Sequence, residues 1–249
     1  MAKKITPPPV VLMGGIVDLE TGVSMNPERY SGQPFTIGDS NHNVINWIQS
    51  GELLVSNQTL CLGMSWNELN QLGFISGRPV HIGGQSYLCR SIRTDGKKRG
   101  GELSWIFGDT VNEEEIWNWS KGYFWCWNDS ETILGNSETD QPGSGFVLMG
   151  VAHWFKPNLR AGIGFRPVLE PLSPTLMPDE LQHGQAVTIF GPGGSVSGAF
   201  MEMSSYDLIL EPNNQKQVVY PWTAVDGRGF MVIDRSAIMH IQENLKEGK

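Results

Sequence analysis

Five histidines, three cysteines and a few hydroxyl and acidic side chains are the residues of this chain able to do chemistry. His42, His81, His153, His183 and His240 show no HExxH or paired-ligand spacing, so each reads as a packed or surface residue rather than a metal ligand. Cys61, Cys89 and Cys126 are odd in number and widely spaced, which signals neither a disulfide framework nor a CxxC metal site. Buried free thiols in a reducing compartment are the expectation. Asp39-Ser40 lies in a loop rich in Gly and Asn, where an acid beside a hydroxyl is ordinary turn chemistry. Gly191-Pro192-Gly193-Gly194-Ser195 lacks the Gly-Lys-Ser/Thr ending of a phosphate loop and falls between strand-like runs, so it reads as a hairpin turn. Asn128 to Glu131 and Asn136 to Asp140 offer oxygens of the kind calcium takes, but acidic surface loops commonly do, and neither metal nor cofactor is expected.

What the chain has in quantity is tryptophan. Trp105, Trp117, Trp119, Trp125 and Trp127 crowd the stretch from Gly101 to Glu170, and Trp154 follows. Each such ring buries about 150 to 250 Å² and its N–H needs a partner, so the stretch requires an aromatic core, a stacking surface, or both. Six rings left in water would exceed the exposed apolar patch a soluble domain tolerates, which sends part of the set inside. The members expected at the surface have polar neighbours: Trp127 beside Asn128-Asp129, and Trp154 between His153 and Lys156. Trp127, Asn128, Asp129 and Trp154 are therefore the candidate ligand-binding residues, and no catalytic residue is assigned.

The elements that must position them are short. Thirty glycines and fifteen prolines without a collagen-like period are too many for a helical bundle and too dispersed for a low-complexity chain. A strand is expected at Ile16 to Val23, Val44 to Gln49 reads as a short strand or a turn of helix, and Ser65 three residues before Glu68 is a capping box that opens a short helix ending near Gly73. Pro79 to Ile82 and Gln85 to Ile92 form a hairpin about Gly83-Gly84, because glycine supplies the positive φ of a two-residue turn. Asn112 to Trp117 opens a second helix with carboxylates in its first turn. The net charge, 18 − 26 = −8, repels nucleic acid and anionic lipid, and no basic run exceeds Lys97-Lys98-Arg99. No stretch reaches the roughly 18 apolar residues of a membrane span, and the apolar run after Pro7-Pro8-Pro9 is too short for a signal peptide. A cytoplasmic protein is expected.

The order Tyr87-Leu88-Cys89-Arg90, Asn112-Glu113, Trp117-Asn118-Trp119, Trp125-Cys126-Trp127 and Gly164-Phe165-Arg166-Pro167-Val168-Leu169 resembles a family of bacterial and phage proteins. Its domain is similar to C-type lectins and to the formylglycine-generating enzyme. The resemblance implies an α+β lectin-like domain with much irregular loop over residues 1–172, its two ends meeting in one sheet. It also implies that Phe165 fills the core and that Arg166 pairs with a carboxylate or with loop carbonyls. The cysteines that serve the formylglycine-generating members lie close before this closing block, and no cysteine follows Cys126 here, so that chemistry is not expected. The resemblance also places the protein in the cytoplasm of a bacterial host, or in a virion.

Residues 173–178 read as an extended proline linker. Beyond it, at 179–249, strand-like runs at Ala186 to Phe190, Ser195 to Met203, Tyr206 to Glu211, Gln217 to Tyr220, Phe230 to Ile233 and Ala237 to Ile241 read as a small all-β barrel. Their order resembles the Sm-like barrel, including the bacterial RNA chaperone of that family, with a longer loop from Pro221 to Gly229 and Arg235-Ser236 where the chaperone has Lys-His. From Ser173 onward the charge is 5 − 9 = −4, which gives phosphate little to bind. Open barrel strands can instead pair between subunits. The sequence thus predicts a non-catalytic recognition and assembly protein, a homo-oligomer with a protein, small-molecule or glycan ligand and no membrane or nucleic-acid partner. An Sm-like RNA binder and an enzyme with a concealed site on the formylglycine-generating fold are the alternatives.

Overall fold

The computed structural model describes residues 8–94, 102–110, 113–128, 143–147, 151–155, 162–213 and 218–244. The chain divides into two compact units, Met1–Pro171 and Leu172–Lys249, both built mostly of strands.

The main sheet of the first unit runs in the order β1 (Val10–Met13), β4 (Ile45–Ser50), β5 (Leu53–Ser56), β13 (Val168–Pro171), β7 (Gln85–Arg90) and β6 (Arg78–Ile82), every neighbour antiparallel. Successive side chains on a strand alternate faces, and here both faces are apolar. Trp47, Leu54, Cys89 and Leu169 enter one core with Phe35, Phe74, Trp125 and Phe165. Ile48, Val55 and Val168 enter a second with Phe107, Trp117, Trp119 and Phe124. A two-stranded sheet, β2 (Gly15–Asp18) with β3 (Phe35–Gly38), contributes Ile16, Phe35 and Ile37 to the first core.

Local signals hold closely. The helix α1 (Trp66–Gln71) starts on the Ser65 capping box, with Glu68 N–H donating to Ser65 Oγ at 3.2 Å and Ser65 N–H donating to the Glu68 carboxylate at 2.9 Å. The hairpin β6–β7 turns on Gly83 and Gly84 at φ +59° and +77°. The expected strand Ile16 to Val23 is corrected: the chain kinks at Gly14 (φ +57°), β1 precedes it, and β2 stops at Asp18. The Asp18 carboxylate accepts from Glu20 N–H, Thr21 N–H and Thr21 Oγ1, which winds residues 18–21 into a turn and holds its pKa below the usual value.

Arg166 closes the second core. Its side chain is fully buried, donating from Nη1 to Ser56 O at 3.3 Å and from Nη2 to Trp117 O at 2.9 Å. The guanidinium lies 4.7 Å from the Trp119 ring centroid and 5.2 Å from that of Phe124. Two carbonyls and two aromatic faces thus take the place of a carboxylate, and burial holds its pKa below the ordinary arginine value. Arg90, also buried, takes carboxylates instead: its Nη1 lies 2.8 Å from Glu102, on α2 (Glu102–Phe107), and its Nε 2.9 Å from Glu170 on β13.

The second unit is one curled antiparallel sheet, ordered β17 (Thr223–Val225), β18 (Met231–Asp234), β16 (Asp207–Pro212), β15 (Gly194–Met203), β14 (Ala186–Gly191), β19 (His240–Glu243). The long β15 shifts register between Phe200 and Glu202, an irregularity of the kind that bends a strand. Val187, Ile189, Leu208, Leu210, Trp222, Met231 and Ile233 fill the concave side.

A strand expected at Gln217 to Tyr220 is corrected, with residue 217 outside the described residues: Val218 to Tyr220 pair with nothing as a strand, and β17 forms instead inside the long loop. Aromatic packing explains the shift. Tyr220 and Trp222 stack at 5.3 Å and 9°, and the Trp222 indole donates to Pro192 O at 2.8 Å. The pair lies over the Gly191 to Gly194 turn, where a Cβ on Gly191 would come within 2.6 Å of Trp222 and one on Gly194 would collide with the Tyr220 ring.

Part of the expected linker belongs to this unit. Leu176 packs on its core, and Ile241 N–H donates to Thr175 Oγ1 at 3.0 Å while Ile241 O accepts from Leu176 N–H at 2.9 Å.

Two expectations follow. Arg166→Ala, which leaves a cavity and two carbonyls without their donor, lowers stability by about 3 kcal/mol or more in urea unfolding. Arg166→Lys restores little, because a point-charge ammonium cannot bridge both carbonyls and lie flat on the rings. Gly194→Ala destabilises by about 1–3 kcal/mol through overpacking against Tyr220, whereas Pro192→Ala, exposed in the same turn, costs less than half as much in the same measurement.

Candidate functional site

The tryptophan set divides. Trp117, Trp119 and Trp125 are buried, and Trp105 is 54% exposed. The indoles of the core members are anchored, Trp117 donating to Thr110 Oγ1 at 3.0 Å and Trp125 to Met64 O at 2.8 Å. Phe107 meets Trp117 edge-on at 4.7 Å and Trp119 at 4.9 Å, so this part of the stretch is an aromatic core.

The strand that carries the remaining candidates is β9 (Tyr123–Asn128), the hub of the second sheet. Phe124 and Cys126 enter the core on one side and Trp125 the core on the other, which fixes the strand at three consecutive positions. On one edge β9 pairs antiparallel with β10 (Gly143–Val147), which pairs in turn with β11 (Val151–Phe155). On its other edge it pairs in parallel with β12 (Ile163–Gly164) at its start and with β8 (Ile92–Thr94) at its end.

This topology gathers most of the sequence-predicted site. Arg93 is in register with Trp127, and Thr94 with Asn128. Cys126 is in register with Ser144, and Ser144 with Trp154, so Trp154 lies two strands from the Cys126 row and Trp127 lies one residue beyond it. The three positions share one sheet but not one face: Asn128 and Trp154 fall on the Cys126 face and Trp127 on the opposite one. Asp129 lies outside the described residues, as do the rest of the oxygen-rich runs Asn128 to Glu131 and Asn136 to Asp140.

Sequence reasoning missed Arg93, which follows the strand expected at Gln85 to Ile92. Its backbone N–H donates to Glu102 at 2.9 Å, and its half-exposed guanidinium lies 3.6 Å from Glu170. The same two carboxylates hold Arg90. A charge-paired cluster thus fixes β8 beside the end of β9. The available signal was Ile92-Arg93-Thr94, where two β-branched residues flank a polar one, a strand-like composition.

Among the described residues, the thiols and the hydroxyl, acid and imidazole groups singled out in the sequence are buried or bonded locally. All three thiols are buried; desolvation pushes Cys61 up to about 12 and Cys89 higher, so both are protonated at neutral pH and neither is a ready nucleophile. Ser40 Oγ donates to His42 O at 2.6 Å and Asp39 accepts from Gly83 N–H at 2.7 Å, which spends that pair on turn geometry. His81 is bonded across its hairpin to Ser86 at 3.0 Å, and the buried His240 ring meets Phe190 edge-on at 5.7 Å. Among the described residues no group of three His, Cys, Asp or Glu side chains is placed to hold a metal ion, and no helix is long and apolar enough to cross a membrane. Comparison with family models, curated proteins and solved structures finds no match to this chain.

The burial of the thiols has a direct readout. The native protein is expected to leave all three cysteines unmodified by a colorimetric thiol reagent over minutes, and the protein in guanidinium to react at three. A fast-reacting thiol in the native state would contradict their burial.

Proposed function

We propose that this chain is a non-catalytic recognition and assembly protein, in which a lectin-like first unit presents a binding surface and an Sm-like barrel follows it. The observation that carries the reading is the register of β8, β9, β10 and β11, which sets Trp154, Asn128 and Thr94 at positions of the Cys126 face and Trp127 and Arg93 at positions of the opposite face, while Trp117, Trp119 and Trp125 are consumed as core. On each face a tryptophan position shares the sheet with polar ones, Trp154 with Asn128 and Thr94 and Trp127 with Arg93, a composition that suits a ligand with an apolar face and a polar rim, such as a sugar or a partner's side-chain anchor. The lectin-like reading is supported by β1 and β13, from the two ends of the unit, lying in one sheet, and by the burial of Phe165 and Arg166.

RNA binding by the barrel is the reading the charges disfavour. Of its arginines, Arg228 is held by Asp226 at 2.9 Å and Glu202 at 3.5 Å, and Arg235 donates to Ser204 O at 2.6 Å. Ring closure through the barrel's own strands meets edges already in use: Ile241 is bonded to Thr175 and Leu176, and Thr223 N–H to Tyr220 O at 2.9 Å.

The test is a pair of variants, Trp127→Ala and Trp154→Ala, assayed against a panel of soluble oligosaccharides and against proteins recovered by pull-down. Both variants are expected to melt within a few degrees of the parent and to lose at least tenfold in binding to whatever the parent retains. Unfolding of both would return these rings to the core, and salt-dependent retention of oligo-U or oligo-A would favour the RNA reading instead.

A further inference from the structure

The main sheet of the first unit ends on β1, and that edge is built differently from the sheet's opposite edge and from those of the second unit's six-stranded sheet. At the opposite edge, β6 carries Pro79, which removes a donor from the strand. Both edges of the second unit's sheet spend backbone groups on nearby chain. Natural sheets blunt their edges with charge, proline or bulges. Within Val10-Val11-Leu12-Met13 there is no such residue, and Val10 and Leu12 are 57% and 68% exposed, among the most exposed aliphatic side chains of the unit.

The hydrogen-bond phase of β1 says what can cover it. Gln49 N–H donates to Pro9 O at 3.0 Å, and Val11 stands opposite Trp47, so residues 9 and 11 turn their backbone groups toward β4. In an antiparallel ladder the alternate residues then turn theirs outward. Those are Val10 and Leu12. The edge therefore offers two N–H and two C=O groups, flanked by exposed apolar side chains on one face, while Val11 and Met13 pack on the first core. A helix or a sugar cannot satisfy alternate groups along such a line; an extended strand can.

We propose that the occupant is a second copy of this chain, joined by antiparallel pairing of β1 with β1 about a two-fold axis through Val11. In that register Val10 stands opposite Leu12 of the partner copy, and all four outward groups bond reciprocally. The two most exposed aliphatic side chains of the strand then cover each other. The upstream prolines exclude a shift toward them: two residues that way sets Leu12 against Pro8, which has no N–H to give. Two four-residue strands bury far less than the roughly 1,200–2,000 Å² of a standard stable interface, so the dimer is weak and dissociates on dilution. The inference rests on the assembly part of the proposed function and is independent of the ligand surface on β9.

The experiment is sedimentation of the full chain over a wide concentration range. The parent is expected to shift from monomer to dimer as concentration rises. Val10→Lys alone and Leu12→Glu alone, both at exposed positions, are expected to raise the dissociation constant at least tenfold. Mixing the two single variants restores association as a heterodimer, because position 10 of one copy faces position 12 of the other. Circular dichroism confirms that each variant is folded. A parent that stays monomeric at every concentration, or variants that associate as the parent does, overturns the proposal. Ligand binding, measured separately with the Trp127 and Trp154 variants, is left unchanged by Val10→Lys.

Discussion

A buried cation held by carbonyls and aromatic faces is the constraint on which the first unit depends. Arg166 is fully buried and contacts no carboxylate among the described residues, so it is tolerable only where Ser56 O, Trp117 O and the rings of Trp119 and Phe124 converge. Those four residues come from β5, from the short helix α3 (Glu114–Trp117) and the turn after it, and from β9. One side chain therefore sets the position of the closing segment, the aromatic core and the strand that leads to the candidate site. Phe165, its neighbour, does the complementary work on the other face by packing 5.1 Å from Phe74.

From that centre the route to the surface is short. Phe124, Trp125 and Cys126 are locked by two cores, and β9 emerges from them with Trp127 and Asn128 at its end. Glu102 and Glu170, which pair with the buried Arg90, also hold the neighbouring β8 through Arg93. Such pairs contribute little net stability after desolvation, but breaking one leaves an unpaired buried charge, so they specify geometry more than they stabilise it. A recognition surface profits from rigid supports of this kind, since ordering costs are met before the ligand arrives.

Legibility in the sequence followed the range of the interactions. The Ser65 and Glu68 cap, the Gly83-Gly84 hairpin and the glycine turn at Pro192-Gly193 depend on residues within a few positions, and all were readable. The early strand was misplaced because Gly14, one glycine among many, is the one that bends the chain. The Val218 to Tyr220 run has strand composition, yet Tyr220 and Trp222 are needed over a glycine turn thirty residues earlier in the chain. The Arg90 cluster joins residues 12 and 80 positions apart, a pairing that no local pattern announces. For the candidate site, the aromatic stretch was evident in the sequence, whereas the parallel pairing that adds Arg93 and Thr94 was not.

Indole hydrogen exchange followed by NMR tests directly the proposed division of the tryptophans into supports and surface. The indoles of Trp47, Trp117, Trp125 and Trp222, bonded to Met13 O, Thr110 Oγ1, Met64 O and Pro192 O, are predicted to exchange slowly. Those of Trp127 and Trp154 are predicted to exchange at rates near those of a free peptide. Protection of Trp127 and Trp154 equal to that of Trp117 and Trp125 would contradict the account, because the candidate surface would then be core.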